Sequence, residues 1–171
     1  MSDIDNIHPA IQIGHLERLY NVSKVIHSTL DQQEALDLIV REAVRLVNAT
    51  TGSVVLANPA DGLLEIQAAH GLPDGSSQLK LRLGEGLTGW VAQHGKPALV
   101  PDVRNDLRYV KVHDHTLSEL AIPLEVNGSV CGVINVDSDQ LNAFSETDQA
   151  LLTELASQAA TVIHNAFLYE Q

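Results

Sequence analysis

The sequence predicts an α+β fold: a central antiparallel sheet of about six strands with the N- and C-terminal helices packed together on one face. Three observations predict it. Apolar residues recur at helical spacing near both ends of the chain. Between them lie short runs with the period of a strand, separated by turn residues. Asn127 and Gly128 join two such runs at the length of a two-residue hairpin.

In chain order, Ile13, Leu16, Leu19, Tyr20 and Ile26 recur at spacings of three, four and seven, which predicts an amphipathic helix from about Gln12 to Thr29. A second helix follows. Asp31 and Glu34 fit an N-cap and its reciprocal partner, and Leu36, Ile39, Val40, Ala43, Val44 and Val47 form a buried stripe that ends near Asn48. The period then changes. SVVLAN and LLEIQAAH, divided by PADG, read as strand, turn, strand, and QLKLRL reads as a third strand with one wet face. A short helix around Trp90, the run ALV and a polar loop or broken helix, DVRNDLRYVKVHDHT, come next. SELAIPLEV and SVCGVINVD flank Asn127–Gly128, whose tolerance of positive φ suits a type I′ turn. Phe144, Ser145 and Asp148 open a last helix with Leu151, Leu152, Leu155, Ala159, Val162, Ile163 and Ala166 on its apolar stripe.

At 171 residues and 44% hydrophobic content the chain buries one core, built from Val, Ile, Leu and Ala because aromatic residues are only 4%. The acidic start MSDIDNIHPAIQ lacks the basic region of a signal peptide, and no apolar run is long enough to span a bilayer, so a cytoplasmic protein is expected. Cys131 is the single cysteine, which excludes an internal disulfide and a multi-cysteine zinc site. A net charge of -12 argues against nucleic acid and anionic membrane as partners. The positive charge is concentrated: Lys80 to Lys111 holds six Lys or Arg against three Asp or Glu, whereas Val112 to Gln171 holds none against nine. A solvated basic surface accounts for that, and so does a site for an anionic, or mixed polar and aromatic, small molecule.

LGEGLTG spells G-x-G-x-x-G through Gly84, Gly86 and Gly89. The pattern holds a dinucleotide only between a buried parallel strand and a helix N-terminus. Here the preceding strand alternates, Glu85 puts a carboxylate where a pyrophosphate would sit, and Gly95 and Pro97 cut the helix short. The glycines are expected to serve a turn.

Taken together, LGEGLTGWVAQHGKPALVPDV, SELAIPLEVNGSVCGVINVDS and FSETDQALLTELASQAATVIHNA resemble the successive blocks of a GAF domain, over about Leu30 to Ala166. The resemblance implies a ligand pocket on the sheet face opposite the terminal helices, roofed by the Trp90 helix and the flap after Val103. It divides the chain into an extension (1–11), a dimerisation or linker helix (12–29) and a GAF domain (30–171). It also implies a non-catalytic sensory or regulatory module in a bacterial signalling protein, and a homodimer through the terminal helices. GAF domains differ in role. Free methionine-(R)-sulfoxide reductase is one enzymatic branch, and its pattern has acids similar to Glu119 and Asp137. It also needs a thiolate and a resolving cysteine, and the corresponding positions here are Thr88 and Val112.

The candidate ligand-binding residues are Trp90, Asp102, Arg104, Tyr109, His113, His115, Asn135 and Asp137; no catalytic residue, metal site or particular cofactor is assigned. A tryptophan such as Trp90 is more often a core plug than a ligand shelf, and the short helix allows both. His113 and His115, with His94 nearby, could sit beside haem or bilin, against the alternative of solvated loop histidines. With Asn127–Gly128 as the turn, hairpin partners sum to 255, which pairs Ser118 with Asp137 and Leu120 with Asn135. That register turns Glu119 to the other face with Ala121 and Pro123 unless a bulge intervenes, and makes those small residues a seat for the helices. NAFSETDQ matches the NKFDE pattern of cyclic-nucleotide-binding GAF domains at Asn142, Phe144 and Asp148. Ala143 and Gln149 break the match, and helix capping explains the residues that remain.

Overall fold

The computed structural model describes residues 32–111 and 114–169. The expected leading helix and the Asp31 half of the cap lie outside them. Six strands form one antiparallel sheet in the order β3-β2-β1-β6-β5-β4. They are β1 (Thr51–Ala57), β2 (Leu64–His70), β3 (Lys80–Leu81), β4 (Ala98–Val100), β5 (Ser118–Val126) and β6 (Ser129–Ser138). Helices α1 (Gln32–Leu46) and α3 (Glu146–Tyr169) pack on one face, and the short helix α2 (Gly86–His94) lies on the other. QLKLRL contributes only two paired residues, and Leu83 beyond them is exposed.

The two faces hold two cores. On the bundle face, Leu36, Ile39 and Val40 of α1 and Leu152, Leu155, Ala159 and Ile163 of α3 close over Val54, Leu120, Ile122, Leu124, Ile134 and Val136. The stripes follow the 3.6 period on the helices and the period of two on the strands. Ser145 begins α3 with a reciprocal cap. Its backbone N–H donates to Asp148 Oδ2 at 2.8 Å, and the Asp148 N–H donates back to Ser145 Oγ at 3.2 Å. On the opposite face, Leu87, Val91 and Ala92 of α2 pack on Val55, Leu64, Ala121 and Val133.

The LGEGLTG segment is a turn into α2. Gly84 and Gly86 have φ of 82° and 69°, and a Cβ on Gly89 would lie 2.5 Å from the Arg82 carbonyl oxygen. The Gly84 N–H donates to the Gly89 carbonyl, and Glu85 folds back to accept from the Arg82 N–H at 2.9 Å, so the carboxylate closes the loop.

The β5–β6 hairpin departs from the simple register. Asn127 and Gly128 form the turn, with φ of 52° and 79°, and Val126 faces Ser129 as expected. Between Leu124 and Glu125 the register shifts by one, leaving Cys131 as the extra residue, and beyond it Leu124 faces Gly132, Ala121 faces Asn135 and Glu119 faces Asp137. The pairings of Ser118 with Asp137 and Leu120 with Asn135 are therefore replaced. The cause is burial: Leu120, Ile122 and Leu124 must share a face with Ile134 and Val136, and only a bulge reconciles that with the two-residue turn. Ala121 consequently belongs to the α2 side of the sheet, not beneath the helix bundle.

Candidate functional site

Antiparallel pairing sets the residues of the α2 face in rows across the sheet. One row runs Val100, Glu119, Asp137, Thr51; the next runs Ala98, Ala121, Asn135, Ser53; a third contains Pro123, Val133, Val55 and Ile66. The first two rows carry acids, an amide and hydroxyls through their middle, and the third is apolar. A cleft of about 440 Å³, counting its open mouth, lies over this boundary. Ser53, Thr88, Asn135 and Asp137 line its polar end, and Val55, Leu64, Ile66, Leu72, Leu79 and Leu81 its apolar wall.

The polar end is built on a buried acid. Glu119 is 5% exposed, and burial pushes its carboxyl well above the usual carboxylate range, with the charges of Asp137 and Asp106 acting in the same direction. A hydrogen bond from the Asn135 side chain and the charge of Arg108 oppose that shift. Asn135 Nδ2 lies 3.4 Å from Asp137 Oδ1, and the Thr51 hydroxyl lies 3.4 Å from Asp137 Oδ2. Asn135 Oδ1 is buried without a hydrogen-bond partner. The hydroxyls of Ser53 and Thr88, residues 5% and 8% exposed, have no hydrogen bond among the described residues.

The flap neutralises its own charge. Arg104 makes a bidentate pair with Asp102, at 2.9 and 2.8 Å, and Arg108 makes the same pair with Asp106, at 2.9 and 2.6 Å. The Asp102 and Asp106 carboxyls are lowered, and the Arg104 and Arg108 guanidiniums raised, chiefly by these side-chain hydrogen bonds. Arg108 also lies 4.4 Å over the Trp90 ring, whose other neighbour is the stacked His94 ring at 4.6 Å. Lys80 pairs with Glu65 and Lys111 with Asp114. The positive surplus that favoured an anionic ligand is thus largely consumed on the surface.

Of the candidate residues, Asn135 and Asp137 come together in the cleft. Trp90 and Tyr109 pack against the α2-side core, Asp102 and Arg104 face each other on the flap, and His115 is exposed. His113 and Val112 lie outside the described residues. Among those residues no three His, Cys, Asp or Glu form a group able to hold a metal, and no helix is long and apolar enough to cross a membrane. Cys131 is half-buried on the bundle face, where its thiol donates to the Leu124 carbonyl at 3.4 Å and burial raises its pKa. The sequence missed Ser53, the third residue of β1, and set Glu119 aside by register. In both, a polar residue at the head of an aliphatic run was the available signal.

Comparison with known proteins agrees with this geometry. The GAF domain model matches residues 29–164. A Nif-specific regulatory protein of Azospirillum lipoferum is 30% identical over 127 residues, which are 70% of this chain and 20% of that protein. The chain therefore spans about one fifth of the length of that relative. Among solved structures, the GAF domain of Acinetobacter phosphoenolpyruvate-protein phosphotransferase superposes with a TM-score of 0.82 at 24% identity, covering 98% of this chain and 97% of that one. Free methionine-R-sulfoxide reductase of Neisseria meningitidis, solved with its substrate, superposes with a TM-score of 0.84 at 20% identity over 96% of both chains. At these identities the two structures are likenesses of fold.

Proposed function

The chain belongs to the GAF domain family, and from that premise we propose that it is a non-catalytic sensory or regulatory module, part of a bacterial signalling protein, that takes a small molecule into the cleft between sheet and flap. The observation that carries the proposal is the separation of the thiol from the cleft. Reductive sulfoxide chemistry needs a thiolate at the substrate. Here the single cysteine packs on the helix side of the sheet, with a raised pKa and a carbonyl partner, while Thr88 lines the cleft. What remains is a pocket with an apolar wall and a polar end containing an unpartnered acceptor, features that suit binding. The Nif-specific regulatory relative supports a regulatory setting.

Native mass spectrometry of protein purified from its own host tests the proposal: a retained small molecule supports it. Reduction of free methionine-(R)-sulfoxide at an ordinary enzymatic rate, lost in Cys131→Ser, would replace it with the enzymatic reading. That second reading draws on the Glu119–Asp137 pair and the likeness to the Neisseria enzyme.

The route of the signal is part of the same proposal. Helix α3 packs along β5 and α1, so a displacement of the sheet on ligand binding reaches the terminal helices directly. We expect a homodimer built on those helices and on the sequence-predicted helix at 12–29. Sedimentation at micromolar concentration checks it: a monomer whose mass is unchanged by Leu16→Glu or Phe167→Glu overturns the dimer.

A further inference from the structure

Beneath the flap, a buried acid and a guanidinium with an idle edge feel each other's charge without pairing. Glu119 and Asp137 are partners across β5 and β6 on the α2 side of the sheet, 5% and 8% exposed. Two carboxyls so placed resist ionising together, because like charges at cross-strand distance repel and burial removes the water that would screen them. Among the described residues no salt bridge reaches Glu119, and the side-chain hydrogen bond it receives comes from Asn135. The cation whose charge acts on it is Arg108. Arg108 Nε and Nη2 donate to Asp106 at 2.9 and 2.6 Å, and the guanidinium lies 4.4 Å over the Trp90 ring. A guanidinium has five donors, and here the Nη1 edge makes no hydrogen bond among the described residues. The ionisable groups around this arrangement are Asp137 from β6, Asp106 and Arg108 from the flap, and His94 from α2, stacked on Trp90; β4 sets the uncharged Val100 opposite Glu119.

We propose that this arrangement is a proton-dependent latch on the flap: with one proton on the Glu119–Asp137 pair, Arg108 rests on Asp106 and Trp90, and when that proton leaves to solvent, Arg108 turns its Nη1 edge to Glu119, keeps Asp106 on the other edge and lifts off the indole. The driving force is the cost of a buried carboxylate without a partner, which outweighs one cation–π contact. The Arg108 side chain is 33% exposed and has room to turn. Burial holds the Glu119 proton above the ordinary glutamate range, so the latch stays closed below the folded pKa and opens as pH rises through it. Asp137 and the α2 residue Thr88 also line the cleft, so the same proton ties the flap to the wall of the proposed ligand site. Only that last link rests on the cleft being the ligand site; the latch itself needs no ligand.

Trp90 is the single tryptophan of the chain, so its emission reports on the latch directly. The full chain is titrated without ligand from mildly acidic to mildly alkaline pH, in a His94→Gln background because a histidine stacked on the indole titrates in the same span. The expected result is a one-proton step in Trp90 emission above the ordinary glutamate range, with a shift of the Arg108 Nε–H resonance at the same midpoint and far-UV circular dichroism unchanged. Glu119→Gln, which keeps the shape of the side chain and cannot ionise, should remove both changes. Arg108→Gln should remove the emission step. If Glu119→Gln fails to fold, the coincidence of the emission and Nε–H midpoints in the folded background protein still decides. An emission step that survives Glu119→Gln, signals from Trp90 or Arg108 that stay flat, or changes that appear only with unfolding overturn the latch. None of these outcomes touches the sensory reading, which native mass spectrometry tests separately.

Discussion

The two faces of one sheet obey different rules. The bundle face is aliphatic from α1 through β1, β6 and β5 to α3, its side chains 0–8% exposed and its contacts dictated by volume. The α2 face begins in the same way around Val55, Leu87 and Val133, then gives way to the buried polar residues Glu119, Asp137, Ser53 and Thr88 and to the half-buried Asn135, whose Oδ1 has no hydrogen-bond partner. A strand places alternate residues on opposite faces, so β5 and β6 serve both environments within the same few residues. The contrast separates residues kept for stability from residues kept at a cost to it.

Substitutions on the two faces should therefore differ in size. The largest effect is expected from Leu155→Ala, which empties a fully buried position between α3 and the sheet. Urea denaturation should show a loss of about 2–5 kcal/mol, and a loss under 1 kcal/mol would mean that the bundle face repacks freely. Next comes Gly132→Ala, beside the bulge, where a Cβ would run into the Val55 carbonyl oxygen and lie 2.7 Å from Leu56 Cδ2. Backbone must shift there, and about 1–3 kcal/mol should be lost.

On the α2 face, Glu119 makes stability depend on pH. Its folded pKa is raised above its unfolded value, so the stability tied to its proton is fully present below the ordinary glutamate range and declines as pH rises towards the folded pKa. In that window each pH unit costs about 1.4 kcal/mol, and Glu119→Gln should flatten the decline in denaturation curves taken across it. A slope unchanged by the substitution would relocate the dependence to another group. Asn135→Leu removes an unpaired oxygen but also the amide donor to the buried Asp137 and Glu119, so a net loss of about 1 kcal/mol is expected in urea denaturation. A gain in stability would mean that the amide contributes nothing to holding the two acids. The smallest effect is expected for Arg104→Gln, an exposed flap pair whose removal should not measurably shift the melting temperature.

The elements were legible because burial writes its period into the chain: the α1 stripe, the α3 stripe from Leu151 to Ile163, the β5 and β6 strands and the Asn127–Gly128 turn appear where the pattern puts them. The hairpin register carried two incompatible signals. The turn required partners summing to 255, while the aliphatic stripes Leu120, Ile122, Leu124 and Ile134, Val136 required 256, and matching the stripes would have exposed the need for a bulge. The fate of the flap charges was also partly legible. Asp-x-Arg occurs twice, in DVR and DLR, and each aspartate binds the arginine two residues on.

The sequence by itself determined the class of fold, the order of its elements, the aliphatic bundle face and the presence of a single thiol, because each depends on composition and local periodicity. The tertiary structure decided which residues meet. One extra residue at Cys131 turns Glu119 towards Asp137, places the thiol on the helix face, and sets the Asn135 amide nitrogen on the acids with its oxygen unpaired. The physical reason is that a strand's faces alternate residue by residue, so a one-residue shift exchanges them. Hairpin turn and stripe burial disagree by that single residue, and burial over the whole sheet outweighs the local turn.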